Sequence, residues 1–241
     1  MNSTSSSAHP APASTRLRVW DLPIRLFHWS LLLLVIGLIV TGHNGGDWMG
    51  WHARMGYGVL TVLLFRLIWG VVGGHHSRFA HFVPTVKTLR AAVVTAWRGP
   101  HRSSLGHNPI GALSVVAMLL VLLLQVGSGL ISDDDIAFSG PLSAQVSGHW
   151  VSLATWYHKE IGKRVLIALV VLHVIAIAYY RLRHGEALVS AMVLGDKVLP
   201  PDLSTQPVAS RDGSRERVTA LCVLVVCAGL VFVLVQWGGS A

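Results

Sequence analysis

The chain has 241 residues, 52% of them apolar and only 12% charged, about half the roughly 25% charge of a soluble globular domain, which excludes an ordinary water-soluble fold. Its formal net charge is +8, but the basic residues stand between long apolar runs, so they read as membrane topology signals and not as a nucleic-acid-binding face. The two cysteines, Cys222 and Cys227, lie five apart inside one apolar run, which excludes a disulfide framework, a Cys-x-x-Cys metal knuckle and the Cys-x-x-Cys-His attachment of covalent haem.

Residues 1–15 are rich in Ser, Ala and Pro, and residues 1–18 are expected to form a disordered tail. The first apolar run ends in Thr41-Gly42-His43 without a small-x-small cleavage site, so it is expected to be an uncleaved span. A bilayer core about 30 Å thick takes about 20 residues of helix. Five runs meet that length: 24–42, 53–73, 109–131, 151–180 and 218–237. Between the second and third, Val86, Leu89, Val93 and Trp97 recur at helical spacing beside Lys87 and Arg90, as an amphipathic helix on a membrane surface requires. Pro200, Pro201 and Pro207 with scattered charge mark 198–217 as a linker. The fifth span carries no charge from Val218 to Trp237 and is the cleanest candidate for facing lipid. The expected fold class is therefore all-α integral membrane, with a main domain over 19–197 and a fifth, C-terminal span.

Lys and Arg separate the two sides. Arg16, Arg18 and Arg25 precede the first span, Arg78, Lys87, Arg90, Arg98 and Arg102 follow the second, and Arg181, Arg183, Lys197, Arg211, Arg215 and Arg217 follow the fourth. The opposite loops hold Asp47 and Asp133-Asp134-Asp135, with Arg54, Lys159, Lys163 and Arg164 close to span starts. The positive-inside rule then places the N-terminus in the cytoplasm and the C-terminus outside. Trp29, Trp48, Trp51, Trp69, Trp150, Trp156 and Trp237 fall near span ends, where indole rings prefer the headgroup level.

Four of the thirteen histidines stand at membrane depths: His28, His52, His158 and His173. An ionisable group there needs a functional reason. The first span starts inside while the second and fourth start outside, so His28 lies on the inner side and His52 and His158 on the outer. His173 is fifteen residues beyond His158, about 22 Å along a helix axis, which returns it to the inner side. At 100° per residue the two sit about 60° apart around the helix and can face one interior. Two pairs result, His28 with His173 and His52 with His158. A zinc site wants three or four ligands together, whereas two axial imidazoles in an apolar slot suit a six-coordinate haem.

Gly56 and Gly162 each follow an outer histidine by four residues, where a missing side chain can admit a porphyrin face or let helices pack. Arg66, fourteen residues after His52, lies on the same face at inner depth and can pair with an inner propionate. Arg54, Lys159 and Lys163 are placed to serve the outer one.

The stretches Val19-Trp20-Asp21-Leu22-Pro23-Ile24-Arg25-Leu26-Phe27-His28-Trp29, His52-Ala53-Arg54-Met55-Gly56-Tyr57-Gly58 leading to Phe65-Arg66-Leu67-Ile68-Trp69-Gly70, Gly106-His107-Asn108-Pro109, and His158-Lys159-Glu160 with Leu172-His173-Val174 occur in that order. With them the chain resembles the bacterial cytochrome b561 family, including the b-type cytochrome subunits of nickel-iron hydrogenases, over most of residues 19–197. The resemblance implies a four-helix haem-binding transmembrane bundle with two non-covalent b haems, ligated by histidines like the four above. It does not make the chain a hydrogenase, because nickel-type Cys-x-x-Cys pairs are missing from the sequence.

The expected function is electron transfer across a bacterial inner membrane, between the quinone pool and a periplasmic redox protein such as a c-type cytochrome or a hydrogenase-like enzyme. Superoxide–quinone oxidoreduction is the alternative within the family, and a histidine-containing metal-ion transporter the alternative of another class. His43, His107 and His149, near predicted interfaces, are candidates to exchange quinone protons. The run Asp133-Asp134-Asp135 either solvates its loop or docks a basic partner.

Overall fold

The computed structural model describes residues 16–98, 106–135, 138–198 and 208–239. The tail over 1–15, Arg102 and the three linker prolines lie outside these residues, as do the side chains of Val93, Trp97 and Arg98. A short strand β1 (Arg16–Arg18) leads into α1 (Leu22–Asn44), a 3-10 turn and α2 (Met49–Val72). A second 3-10 turn (His75–Ser77), α3 (Phe79–Phe82) and α4 (Val86–Arg98) follow, and then α5 (Pro109–Ile131). After α6 (Gly148–Trp156) the helix continues through a π-helical turn (Tyr157–Gly162) into α7 (Lys163–His184). Last come α8 (Leu188–Leu194), β2 (Asp196–Val198) and α9 (Ser214–Gly238).

Five helical stretches are long and apolar enough to cross a membrane: Leu22–Asn44, Gly46–Val72, Pro109–Ile131, Gly148–His184 and Ser214–Gly238. They are the five expected spans: the third coincides with its apolar run, the first, fourth and fifth extend beyond theirs at both ends, and the second begins seven residues earlier and ends one residue sooner, because polar caps and interfacial residues can continue a helix past its apolar run. The core sits where α1, α2 and α5 meet, around Val35, Val59, Leu63, Leu119, Leu122 and Val126. α7 packs on α5 and contributes no fully buried residue. α9 is only partly a lipid-facing helix: Ala220 and Cys227 pack on Phe65 and Trp69 of α2, while Leu221, Val225 and Phe232 stay exposed.

One end of the bundle is closed by a knot of main-chain and carboxylate contacts. β1 pairs antiparallel with β2, Leu17 opposite Lys197, so residues grouped with the tail by sequence are ordered down to Arg16. Arg18 reaches Asp196 and Asp212, each at 2.5 Å. Gly195 ends α8 at φ +91, a left-handed conformation that suits glycine. Its carbonyl accepts from the Val19 and Trp20 N–H groups at 2.9 and 3.0 Å. Residues 208–213, the end of the predicted linker, also pack here: Ser210 donates to the Val19 carbonyl at 2.6 Å, and Asp212 accepts from the Leu22 N–H at 3.0 Å.

Asp21 is the centre of this end. It caps α1, accepting from the Ile24 N–H at 2.9 Å, with Pro23 in the first turn where a missing N–H costs nothing. Fully buried, it also accepts from the Ser77 hydroxyl (2.8 Å), the Gly74 N–H (3.2 Å) and the Trp69 indole (3.3 Å). Trp69 is therefore not an interfacial indole, as its place near a span end suggested, but a core residue bound to a carboxylate.

Asp21→Ala would strand these donors, each costing about 1–3 kcal/mol when buried without a partner. Thermal unfolding in detergent is expected to show a loss of about 3 kcal/mol or more, and Asp21→Asn, which keeps one acceptor oxygen, a smaller loss. A parent-like unfolding temperature for Asp21→Ala would remove Asp21 from this role.

Candidate functional site

The structure brings His52 and His158 face to face at one end of the bundle and places His28 and His173 toward the other. At the end carrying Asp133, His52 in the first turns of α2 faces His158 in the π-helical turn, with ring centroids 6.1 Å apart and planes at 83°. Each ring is held through Nδ1. The Thr41 hydroxyl donates to the Gly37 carbonyl at 2.7 Å and so accepts from His52 Nδ1 at 3.1 Å. His158 Nδ1 donates to the Gln125 carbonyl at 2.8 Å, with Ser128 Oγ at 3.3 Å. An N–H at Nδ1 leaves the Nε2 lone pair for a metal.

With their Nδ1 atoms engaged and their rings facing across 6.1 Å, His52 and His158 would hold a haem through Nε2, whose iron would supply one-electron chemistry there. Clearance for the rings comes from Gly42 and Gly129, where an added Cβ would lie 3.0 and 2.9 Å from the Cε1 atoms of His52 and His158. At Gly56 an added Cβ would meet nothing within 4 Å, whereas at Gly162 it would run into Gln125 Oε1 on α5. Gly56 thus opens onto space, and Gly162 admits a neighbouring helix.

At the Asp21 end, His28 on α1 and His173 on α7 are both half-buried. His28 meets Trp29 edge-on at 5.2 Å, and its Nδ1 is buried without a hydrogen-bond partner among the described residues. Arg66 is only 2% exposed, with its guanidinium 4.5 Å from the Phe79 ring centre and 5.7 Å from that of Phe82. Its Nη1 is likewise buried with no partner among the described residues. A buried guanidinium without a hydrogen-bonded anion is costly, so this end fits a bound anionic group such as a carboxylate.

His107 joins this cluster, packed between Trp20 (4.7 Å) and Phe82 (4.6 Å), with Nδ1 also buried and unpartnered among the described residues. Burial first, and then the charge of Arg66, push its imidazole down to about 3. It is therefore neutral near pH 7 in this structure. His43 and His149 are exposed at helix ends.

The cations at the other end are solvent-exposed: Arg54 lies over the Trp51 ring at 5.1 Å, and Lys159 and Lys163 flank His158 in sequence. In the acidic loop, Asp133 accepts from the Asp135 N–H (2.7 Å) and the Ser139 hydroxyl (2.8 Å), and Asp134 from the Phe138 N–H (2.8 Å). Two of the three acids therefore shape the turn, and Asp135, at φ 59, is exposed.

Sequence reasoning missed Asp21, Thr41, Gly42, Gly129 and the place of Gln125. An Asp two residues before a proline at a helix start is a legible cap signal, and Gln125 is the lone side-chain amide of its span. The π-turn left no such signal. Its i→i+5 bonding underwinds the helix, so the 100° count from His158 to His173 does not hold through it.

The profile of the prokaryotic cytochrome b561 family matches residues 19–195. A probable Ni/Fe-hydrogenase B-type cytochrome subunit of Azotobacter chroococcum mcd 1 is 26% identical over 226 residues, covering 78% of this chain and 91% of that protein. A protein of the same description from Cupriavidus necator is 27% identical, covering 73% of this chain and 85% of its own length. The probable Ni/Fe-hydrogenase 1 B-type cytochrome subunit of Escherichia coli strain K12 is 25% identical, covering 73% and 88%. No solved structure matches significantly. With five spans, a facing imidazole pair and a family match over most of its length, the chain belongs to the prokaryotic cytochrome b561 family, multi-pass membrane proteins that bind haem b and transfer electrons.

Proposed function

We propose that the chain is a di-haem cytochrome of a bacterial inner membrane that passes electrons between the quinone pool and a periplasmic redox protein. The observation that carries this assignment is the His52 and His158 pair, facing at 6.1 Å with both Nδ1 atoms hydrogen-bonded. When bound, haem b supplies reversible one-electron chemistry at a potential set by its ligands and surroundings. His52 and His158 would hold one haem beside Gly56, with Arg54, Lys159 or Lys163 reaching its propionates. His28 and His173 would hold the second, whose propionate would satisfy Arg66 Nη1 and His107 Nδ1. Around them, the apolar side chains of α1, α2 and α5 exclude water from the interior.

The distribution of Lys and Arg supports a cytoplasmic Asp21 end and a periplasmic Asp133 end. The hydrogenase names of the relatives support a hydrogenase-like partner, and a c-type cytochrome would meet the same haem edge. Membership of a cytochrome family weighs against a metal-ion transporter.

His52→Ala and His158→Ala are expected to remove one component of the reduced-minus-oxidised spectrum, and His28→Ala and His173→Ala the other, from about two haems per chain. A colourless folded protein, or loss of one component by members of both pairs, would overturn the assignment. Arg66→Leu removes a buried cation that favours the more reduced, less positive iron, so the Asp21-end component should titrate at a lower potential. An unchanged titration would leave Arg66 without a haem partner. Replacing Asp133, Asp134 and Asp135 by Asn should slow electron transfer to a basic partner at low ionic strength, with the difference shrinking toward 0.1 M salt, where screening acts within about 10 Å. Equal rates at low salt would end the docking role of that loop.

A further inference from the structure

We infer that Gln125 is a positioning residue for His158, holding both its ring and its main chain, an inference that rests on His158 being a haem ligand. A glutamine inside an apolar span is unfavourable unless its amide is used. Here Nε2 donates to the His158 carbonyl at 3.0 Å, while the Gln125 main-chain carbonyl accepts from His158 Nδ1 at 2.8 Å. One residue of α5 therefore grips the imidazole and the backbone of the same residue on the facing helix.

The π-helical turn makes this possible. Its i→i+5 spacing widens the helix between Tyr157 and Gly162, and the His158 carbonyl within it accepts from the Gln125 amide of α5. Gly162 supplies the room, because a Cβ there would collide with Gln125 Oε1 and approach Tyr157 Cε1 to 2.9 Å. Ser128 completes the arrangement by donating to the Gln125 carbonyl at 2.9 Å, so the acceptor facing His158 is itself fixed.

A metal-ligating imidazole whose other nitrogen donates to a carbonyl has a set tautomer, a set ring orientation and a more basic ligating nitrogen. The Nδ1 contact alone would leave the backbone beneath the ring free to shift. By pinning that backbone, the Gln125 amide holds the ring plane in place. Among the described residues His52 shows no side-chain hydrogen bond to its main-chain carbonyl, its ring being held through the Thr41 hydroxyl. Removing the amide should therefore act on one ligand of one haem.

The test uses the full-length, haem-loaded protein, with the component lost in His158→Ala defining the haem to be followed. Gln125→Leu and Gln125→Met preserve bulk and remove the donor. Both should change the oxidised-to-reduced preference of that component by about tenfold, about 59 mV for one electron, and alter its low-spin resonance signal while sparing the other haem. Gly162→Ala should shift the same component. The double variant Gln125→Ala with Gly162→Ala should shift it by clearly less than the sum of the single variants, because the colliding atom has gone. Lower thermal stability with an unmoved potential and signal in both Gln125→Leu and Gln125→Met would reduce Gln125 to helix packing and overturn the inference. Full additivity in the double variant would overturn the link through Gly162. If His158→Ala kept both components, the ligand assignment itself would fail, whatever Gln125 did.

Discussion

A carboxylate removed from water must be surrounded by donors, and Asp21 meets that requirement with groups from segments that are far apart in sequence. Its two oxygens take bonds from the start of α1, the end of α2 and the following 3-10 turn. Because hydrogen bonds to a charged acceptor are shorter and stronger than neutral ones, they fix the relative height of α1 and α2. The β1 and β2 pair, Gly195 and Ser210 build outward from the same point, through the Val19 and Trp20 backbone that leads into Asp21.

The imidazoles are governed by the same physics in a second form. A neutral ring with one donor and one acceptor nitrogen must satisfy the donor within the protein if the acceptor is to be kept for a metal. His52 and His158 do so with a hydroxyl and a main-chain carbonyl. The acceptors come from α1 and α5, not from the helices that carry the rings, so both ring orientations depend on tertiary packing. Gly42 and Gly129 let those helices come close enough.

The five spans, the two-level arrangement of the histidines and the buried depth of Arg66 were legible in the sequence because each follows from one-dimensional quantities: run length, rise per residue and the cost of charge in lipid. What was not legible depends on neighbours. Trp69 looked interfacial because its position near a span end is a statistical cue, while its indole answers to Asp21, 48 residues away. Gly162 could be cofactor clearance or helix packing because it follows His158 by four residues, a count that does not register the underwound turn and the Gln125 side chain that decide for packing. Three-residue strands such as β1 carry no usable pattern, so the ordering of Arg16–Arg18 rests on Asp196 and Asp212, residues that no local reading connects to them.

The two ends of the bundle differ in how complete they are as protein. At the Asp133 end the imidazole donors are paired and the nearby cations Arg54, Lys159 and Lys163 are solvated. At the Asp21 end four buried polar atoms, Arg25 Nε, His28 Nδ1, Arg66 Nη1 and His107 Nδ1, have no hydrogen-bond partner among the described residues, and at the Asp133 end Gln125 Oε1 has none. Each unpaired donor raises the free energy of the folded chain, and an anionic ligand with several acceptor oxygens lowers it again. A ligand that satisfied groups buried only in the native state would stabilise that state. At the Asp133 end the two imidazoles are set by groups of α1 and α5, whereas most of the unpaired buried polar atoms among the described residues lie at the Asp21 end.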